Sequence, residues 1–132
     1  MDALQVLARA RYVLLTTFRK DGTSVPTAVW CVGLGGGLGI WTAPGAGKVK
    51  RVKRDGRVLL VPCSVRGRPI GASVEGTARL LTEAELPALD AALIAKYGIQ
   101  MHLASLGARL QGRRTQAGLG VTVHTGWARP SA

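Results

Sequence analysis

Acid is what this sequence has least of relative to its bases: seven Asp and Glu face eighteen Lys and Arg, a formal charge of +11. Such an excess calls for an anionic partner. Six of the cations, Lys48, Lys50, Arg51, Lys53, Arg54 and Arg57, fall within ten residues, a clustering that suits a phosphate group and a nucleic acid equally well. Aromatic residues are also few, three Trp, two Tyr and one Phe, and no RNP, helix-turn-helix or zinc signature is present. Nucleic acid is therefore the weaker expectation.

Cysteine and histidine are nearly missing. Cys31 and Cys63 both lie in apolar runs without a C-x-x-C, and His102 and His124 stand isolated, so buried reduced thiols are expected and a metal site is not. The longest uncharged stretch, residues 23–47, is broken by Pro26, Pro44 and Gly35-Gly36-Gly37, which reads as strand, turn and strand and not as a membrane span. Met1-Asp2-Ala3-Leu4 lacks the basic and apolar regions of a secretory signal, and a cytoplasmic location is expected.

Apolar residues and glycine are plentiful. With 47% hydrophobic residues and 18 glycines, a chain of 132 residues is expected to form one domain, 1–132, with a single core and many turns. Residues 2–10 predict a short helix with Asp2 as N-cap. Residues 11–19 and 23–34 predict strands joined by the turn Lys20-Asp21-Gly22, and a third strand follows at 38–42. A short basic helix at 47–54 buries Val49 and Val52, and strands at 57–65 and 71–81 come next. Thr82 and Glu85 have capping-box spacing and open a helix with Leu86, Leu89, Leu93 and Tyr97 inward, ended by Gly98. A further helix at 101–110 and a strand at 119–124 complete the order. Six strands with tight turns favour a small, largely antiparallel barrel over a doubly wound sheet, so the fold class is mainly β with short helices.

Two glycine-rich segments fail as nucleotide motifs. The glycines of 33–39 do not fall as G-x-G-x-x-G and join two strands. Gly45-Ala46-Gly47-Lys48 has Thr42 where a P-loop needs its first Gly, and Val49 in place of Ser or Thr. What remains is a strand end at Thr42, a flexible loop, and Lys48 and Lys50 at a helix start. Free N–H groups, the helix dipole and ammonium groups there suit a phosphate.

The run Thr16-Thr17, Asp21-Gly22, Val25-Pro26-Thr27, Val29-Trp30, Thr42 and Gly47-Lys48-Val49-Lys50-Arg51 resembles the actinobacterial F420-dependent branch of the pyridoxamine-phosphate-oxidase-like superfamily. The likeness continues through Arg57-Val58-Leu59-Leu60, residues 74–79 and Lys96-Tyr97-Gly98. It implies a split β-barrel homodimer with cofactor sites at the subunit interface, each ring lying against the second strand. By that resemblance Thr42 and Lys48 match the phosphate-binding threonine and lysine, and Lys50 a second cation. Backbone groups at Val25 and Pro26, with Trp30, would border the ring, although Trp30 and Trp41 fit the barrel core equally, and Trp127 a pocket wall or a tail staple. Thr27 stands where the oxidases proper carry an arginine for the FMN phosphate, and Ala46-Gly47 where they carry Ser-Arg. The expected cofactor is therefore coenzyme F420, with FMN as the alternative, and Arg66 and Arg68 are candidate contacts for the acidic tail of F420. The implied activity is an F420H2-dependent reductase of an unsaturated or quinone-like small molecule. An FMN-dependent oxidase or flavin reductase and a non-catalytic carrier are the alternatives. No side chain needs to be a nucleophile, no catalytic residue is assigned, and Glu75 reads as an ion-pair partner.

Overall fold

The structure, a computed structural model, describes residues 2–43, 45–98 and 117–124. The expected helix at 101–110, His102, Trp127 and Pro44 lie outside the described residues. The elements are α1 (Ala3–Arg9), β1 (Tyr12–Phe18), β2 (Ser24–Val29), β3 (Cys31–Leu34), β4 (Gly37–Thr42), α2 (Gly47–Arg54), β5 (Arg57–Cys63), β6 (Val74–Leu80), a 3-10 turn (Glu83–Glu85), α3 (Leu86–Tyr97) and β7 (Ala117–Val123).

The class is as expected, with one more strand. Among the described residues seven strands form one sheet in the order β2-β1-β5-β6-β7-β4-β3, and every pairing there is antiparallel. The expected strand 23–34 is two, because β2 pairs with β1 at one edge of the sheet and β3 with β4 at the other. Trp30 alone separates them. One residue bridges at most about 7 Å, so the two edges must approach each other and the sheet must curl into a split barrel.

Alternation along the strands sorts the side chains into two clusters. Leu38, Ile40, Leu119 and Val121 face the barrel interior with Val13, Leu15, Val58 and Leu60. Ala3 and Leu7 of α1 and Val52 of α2 enter the same core, so both helices close the barrel. The opposite face of β3, β4 and β7 carries α3, where Leu89 and Leu93 pack with Val32, Trp30 and Trp41. Glycine makes that approach possible: a Cβ on Gly39 would stand 2.7 Å from Leu89 Cδ1, and one on Gly118 2.7 Å from Leu89 Cδ2.

Local signals place the ends. Asp2 accepts from Gln5 N–H at 2.8 Å, and the Gln5 side chain answers at 3.1 Å, a capping box. Gly22, with φ of 87°, turns β1 into β2. The C-terminal end of α3 is tied to α1 and β3 by Lys96, whose ammonium donates to the carbonyls of Ala8 (2.8 Å), Ala10 (2.6 Å) and Cys31. Beside it the Tyr97 hydroxyl donates to Arg11 O at 2.9 Å. Among the described residues no helix is long and apolar enough to cross a membrane.

Candidate phosphate and cofactor site

α2 shows how a basic run becomes a surface. Val49 and Val52, three apart, are buried, which turns the cations toward solvent. Its N-cap, Ala46, makes no side-chain bond and the first turn holds no acid, so no carboxylate there opposes the dipole, while the Val49 N–H donates back to Ala46 O at 3.0 Å. Ala46 N–H donates to Ala43 O at 3.1 Å, and this tight turn leads from the end of β4 directly into the helix.

Among the described residues Thr17 and Thr42 are the buried polar ones, each 1% exposed. Thr17 Oγ1 accepts from Arg51 Nε at 2.7 Å. Thr42 Oγ1 has no partner among the described residues. A buried hydroxyl without an acceptor or donor costs free energy unless something arrives to use it, and a phosphate oxygen suits it. Lys48 is half-buried; burial first, and the Arg51 guanidinium second, hold its ammonium pKa below the ordinary lysine value. That combination of an orphan hydroxyl, a desolvated ammonium and a helix start without a side-chain cap fits an anionic cofactor group.

Lys48 and Lys50, two apart on a helix, do not share a face. Lys50 is exposed and, with Arg19, Lys20, Arg51 and Arg54, lines a shallow groove of about 280 Å³ in which every lining residue is a cation. Arg54 is pinned there by a bond to the Phe18 carbonyl. Arg57, in contrast, is spent on Glu75 at 3.0 Å and lies 4.7 Å over the Phe18 ring. Glu75 is thus an ion-pair partner, as read from the sequence.

On β2, Val25 stands opposite Thr17 and Thr27 opposite Leu15, so both turn inward, and Val25 neighbours the threonine that holds Arg51. Pro26 is opposite Thr16 on the outer side and exposed, and an edge strand tolerates its missing N–H. The three residues therefore share an edge and not a face. Trp30 belongs to the α3 layer, stacked on Tyr97 with ring centroids 4.9 Å apart. Arg66 and Arg68 flank Gly67, whose Cα faces Leu14 and Ala28 on the outer side of β1 and β2.

The sequence puts Thr17 in the resembling run and Lys20 in a turn, and assigns neither of them, nor Arg19, to the site. Thr17 looks like any strand threonine, and only the packing of α2 on β1 gives its hydroxyl a cation.

Comparison with known proteins decides the family. Residues 2–128 match the pyridoxamine 5'-phosphate oxidase family. The chain belongs to that family. Pyridoxamine 5'-phosphate oxidase relatives generally bind a flavin. Three solved structures share the fold. The conserved hypothetical protein Rv2991 of Mycobacterium tuberculosis is 19% identical, with a TM-score of 0.70 over 100% of this chain and 91% of that one. The heme storage protein HutZ of Vibrio cholerae is 11% identical, with a TM-score of 0.68 over 93% of this chain and 88% of that one. An F420 reductase is 17% identical, with a TM-score of 0.58 over 95% of this chain and 96% of that one. No curated protein matches.

Proposed function

We propose that this family member is an F420H2-dependent reductase of a small unsaturated or quinone-like acceptor. The observation that carries the reading is the groove of Arg19, Lys20, Lys50, Arg51 and Arg54, which runs along α2 from Lys50 to Arg54 and has no acid among its lining residues. FMN ends at its phosphate and leaves Arg19, Lys20, Lys50 and Arg54 of this groove idle. F420 continues beyond its phosphate into a chain of glutamates, which gives the groove carboxylates to neutralise.

In this reading Thr42, Lys48 and the N–H groups of α2 hold the phosphate, and the backbone of β2 at Val25, Pro26 and Thr27 borders the ring. When bound, the reduced cofactor would supply a hydride to the acceptor. The chain's own part is to bind, orient and shield. The proposal includes a homodimer, supported by Val65 and Ile70, large apolar side chains left 67% and 61% exposed in the segment between β5 and β6.

The test is a fluorescence titration with F420, F420 stripped of its glutamates, and FMN. Two or three exposed carboxylate contacts are worth about 1.4 kcal/mol together, so the tail should tighten binding roughly tenfold, and Lys20→Glu should remove most of that gain. FMN binding as tight as F420, or no effect of the tail, would overturn the reading. Light scattering should give the mass of two chains.

A further inference from the structure

We infer that Arg51, reaching back one helical turn, is the fork that grips the cofactor phosphate, and that residue 47 is glycine so that this fork has room. The inference rests on the phosphate site proposed at the start of α2. Its ligand class is the phosphate ester of a flavin-type cofactor, whether mono- or diester.

Positions 47 and 51 are four apart and lie one above the other on a helix, and long side chains lean toward the N-terminus. Arg51 obeys this rule closely. A Cβ added to Gly47 would stand 2.7 Å from one terminal nitrogen of Arg51 and 3.5 Å from Cζ and the other nitrogen. The guanidinium therefore occupies the place where a side chain of residue 47 would begin. Gly47 has neither a positive φ nor a turn to make, so its backbone gives no other reason for glycine.

Arg51 is also held in position. Its Nε is fixed on the buried Thr17 hydroxyl at 2.7 Å, and among the described residues the two terminal nitrogens have no acceptor. Those two nitrogens form the planar pair that matches two phosphate oxygens. Holding the side chain in advance removes much of the rotamer entropy that binding would otherwise cost. Among the described residues no carboxylate pairs with it, and its charge disfavours the Lys48 ammonium. An entering phosphate would give both cations a counter-ion.

A double-mutant cycle in the full chain tests this, with FMN and F420 as probes and fluorescence as the readout. Arg51→Met should weaken binding of the preferred probe by roughly 10- to 100-fold. Gly47→Ala should also weaken it, because the methyl pushes the guanidinium aside, yet should add nothing in the Arg51→Met background. Thr17→Val, which keeps the charge but removes its anchor, should give an intermediate loss. If Arg51→Met does not fold, Arg51→Lys, charged but without the fork, reads the same quantity. Unchanged affinity in the Arg51 variants, or a Gly47→Ala loss that persists without Arg51, would overturn the inference. A wild-type chain that binds neither probe would instead sink the phosphate site itself.

Discussion

Lys48→Met separates the two costs and benefits of a half-buried ammonium. Methionine keeps the aliphatic stem and removes the charge. In the free protein that charge is unfavourable: burial and Arg51 both lower its pKa, so the folded chain holds the proton less well than the unfolded one at neutral pH. The free variant should therefore melt higher than the wild type. With cofactor the sign reverses, because a charge-assisted bond to phosphate contributes about 1.5–3 kcal/mol, or roughly 10- to 150-fold in Kd. Lys53→Met is the control, since Lys53 is exposed in the same basic run. Thermal melts without ligand and titrations with F420 at two salt concentrations read both quantities. A local contact survives added salt, whereas a diffuse field does not. Equal losses for Lys48→Met and Lys53→Met, or a lower melting temperature for Lys48→Met, would refute the assignment.

Burial raises the Cys31 thiol from 9.0 to about 12, so its contribution to stability is complete below pH 9 and declines as the pH rises from 9 to 12. At pH 10.5 the loss is about 2 kcal/mol, and the urea midpoint of Cys31→Ala should fall less than that of the wild type between pH 8 and pH 10.5. Gly118→Ala should destabilise by about 1–3 kcal/mol in urea unfolding, because its methyl would meet Leu89, Leu81 and Leu86 at 2.7, 2.9 and 3.0 Å. Lys96→Met should cost about 1–3 kcal/mol in the same assay, since the carbonyls of Ala8, Ala10 and Cys31 lose their shared donor.

Much of the framework was legible because its signals are local. Asp2 caps α1, Gly22 makes its turn, Val49 and Val52 set the face of α2, and Leu89 and Leu93 are the buried residues of α3. The break at Trp30 was not legible, since no glycine or proline marks it and only the partners of β2 and β3 divide the run. The ends of β5 and β6 also fall short of the expected 65 and 71, at Cys63 and Val74, where pairing with neighbours stops. At the site, spacing put Lys48 and Lys50 in one motif, but the helix turns them apart. Ala46-Gly47 read as the loss of a cation because a sequence does not show that a side chain from the next turn fills the space.

The sheet order carries a consequence for how the chain reaches this shape. β7 lies between β6 and β4, so it is the piece that joins the four-strand array β2-β1-β5-β6 to the hairpin β3-β4. The pairs β1-β2, β3-β4 and β5-β6 form from neighbours close in sequence, but the hydrogen-bonded union of the two halves waits for Ala117–Val123, which must find Gly37–Thr42 across some seventy-five intervening residues. Until then β4 and β6 each present an open edge able to pair with another chain. Folding should therefore be slow for a domain of this size, and an intermediate stalled before that step would be the species most prone to aggregate.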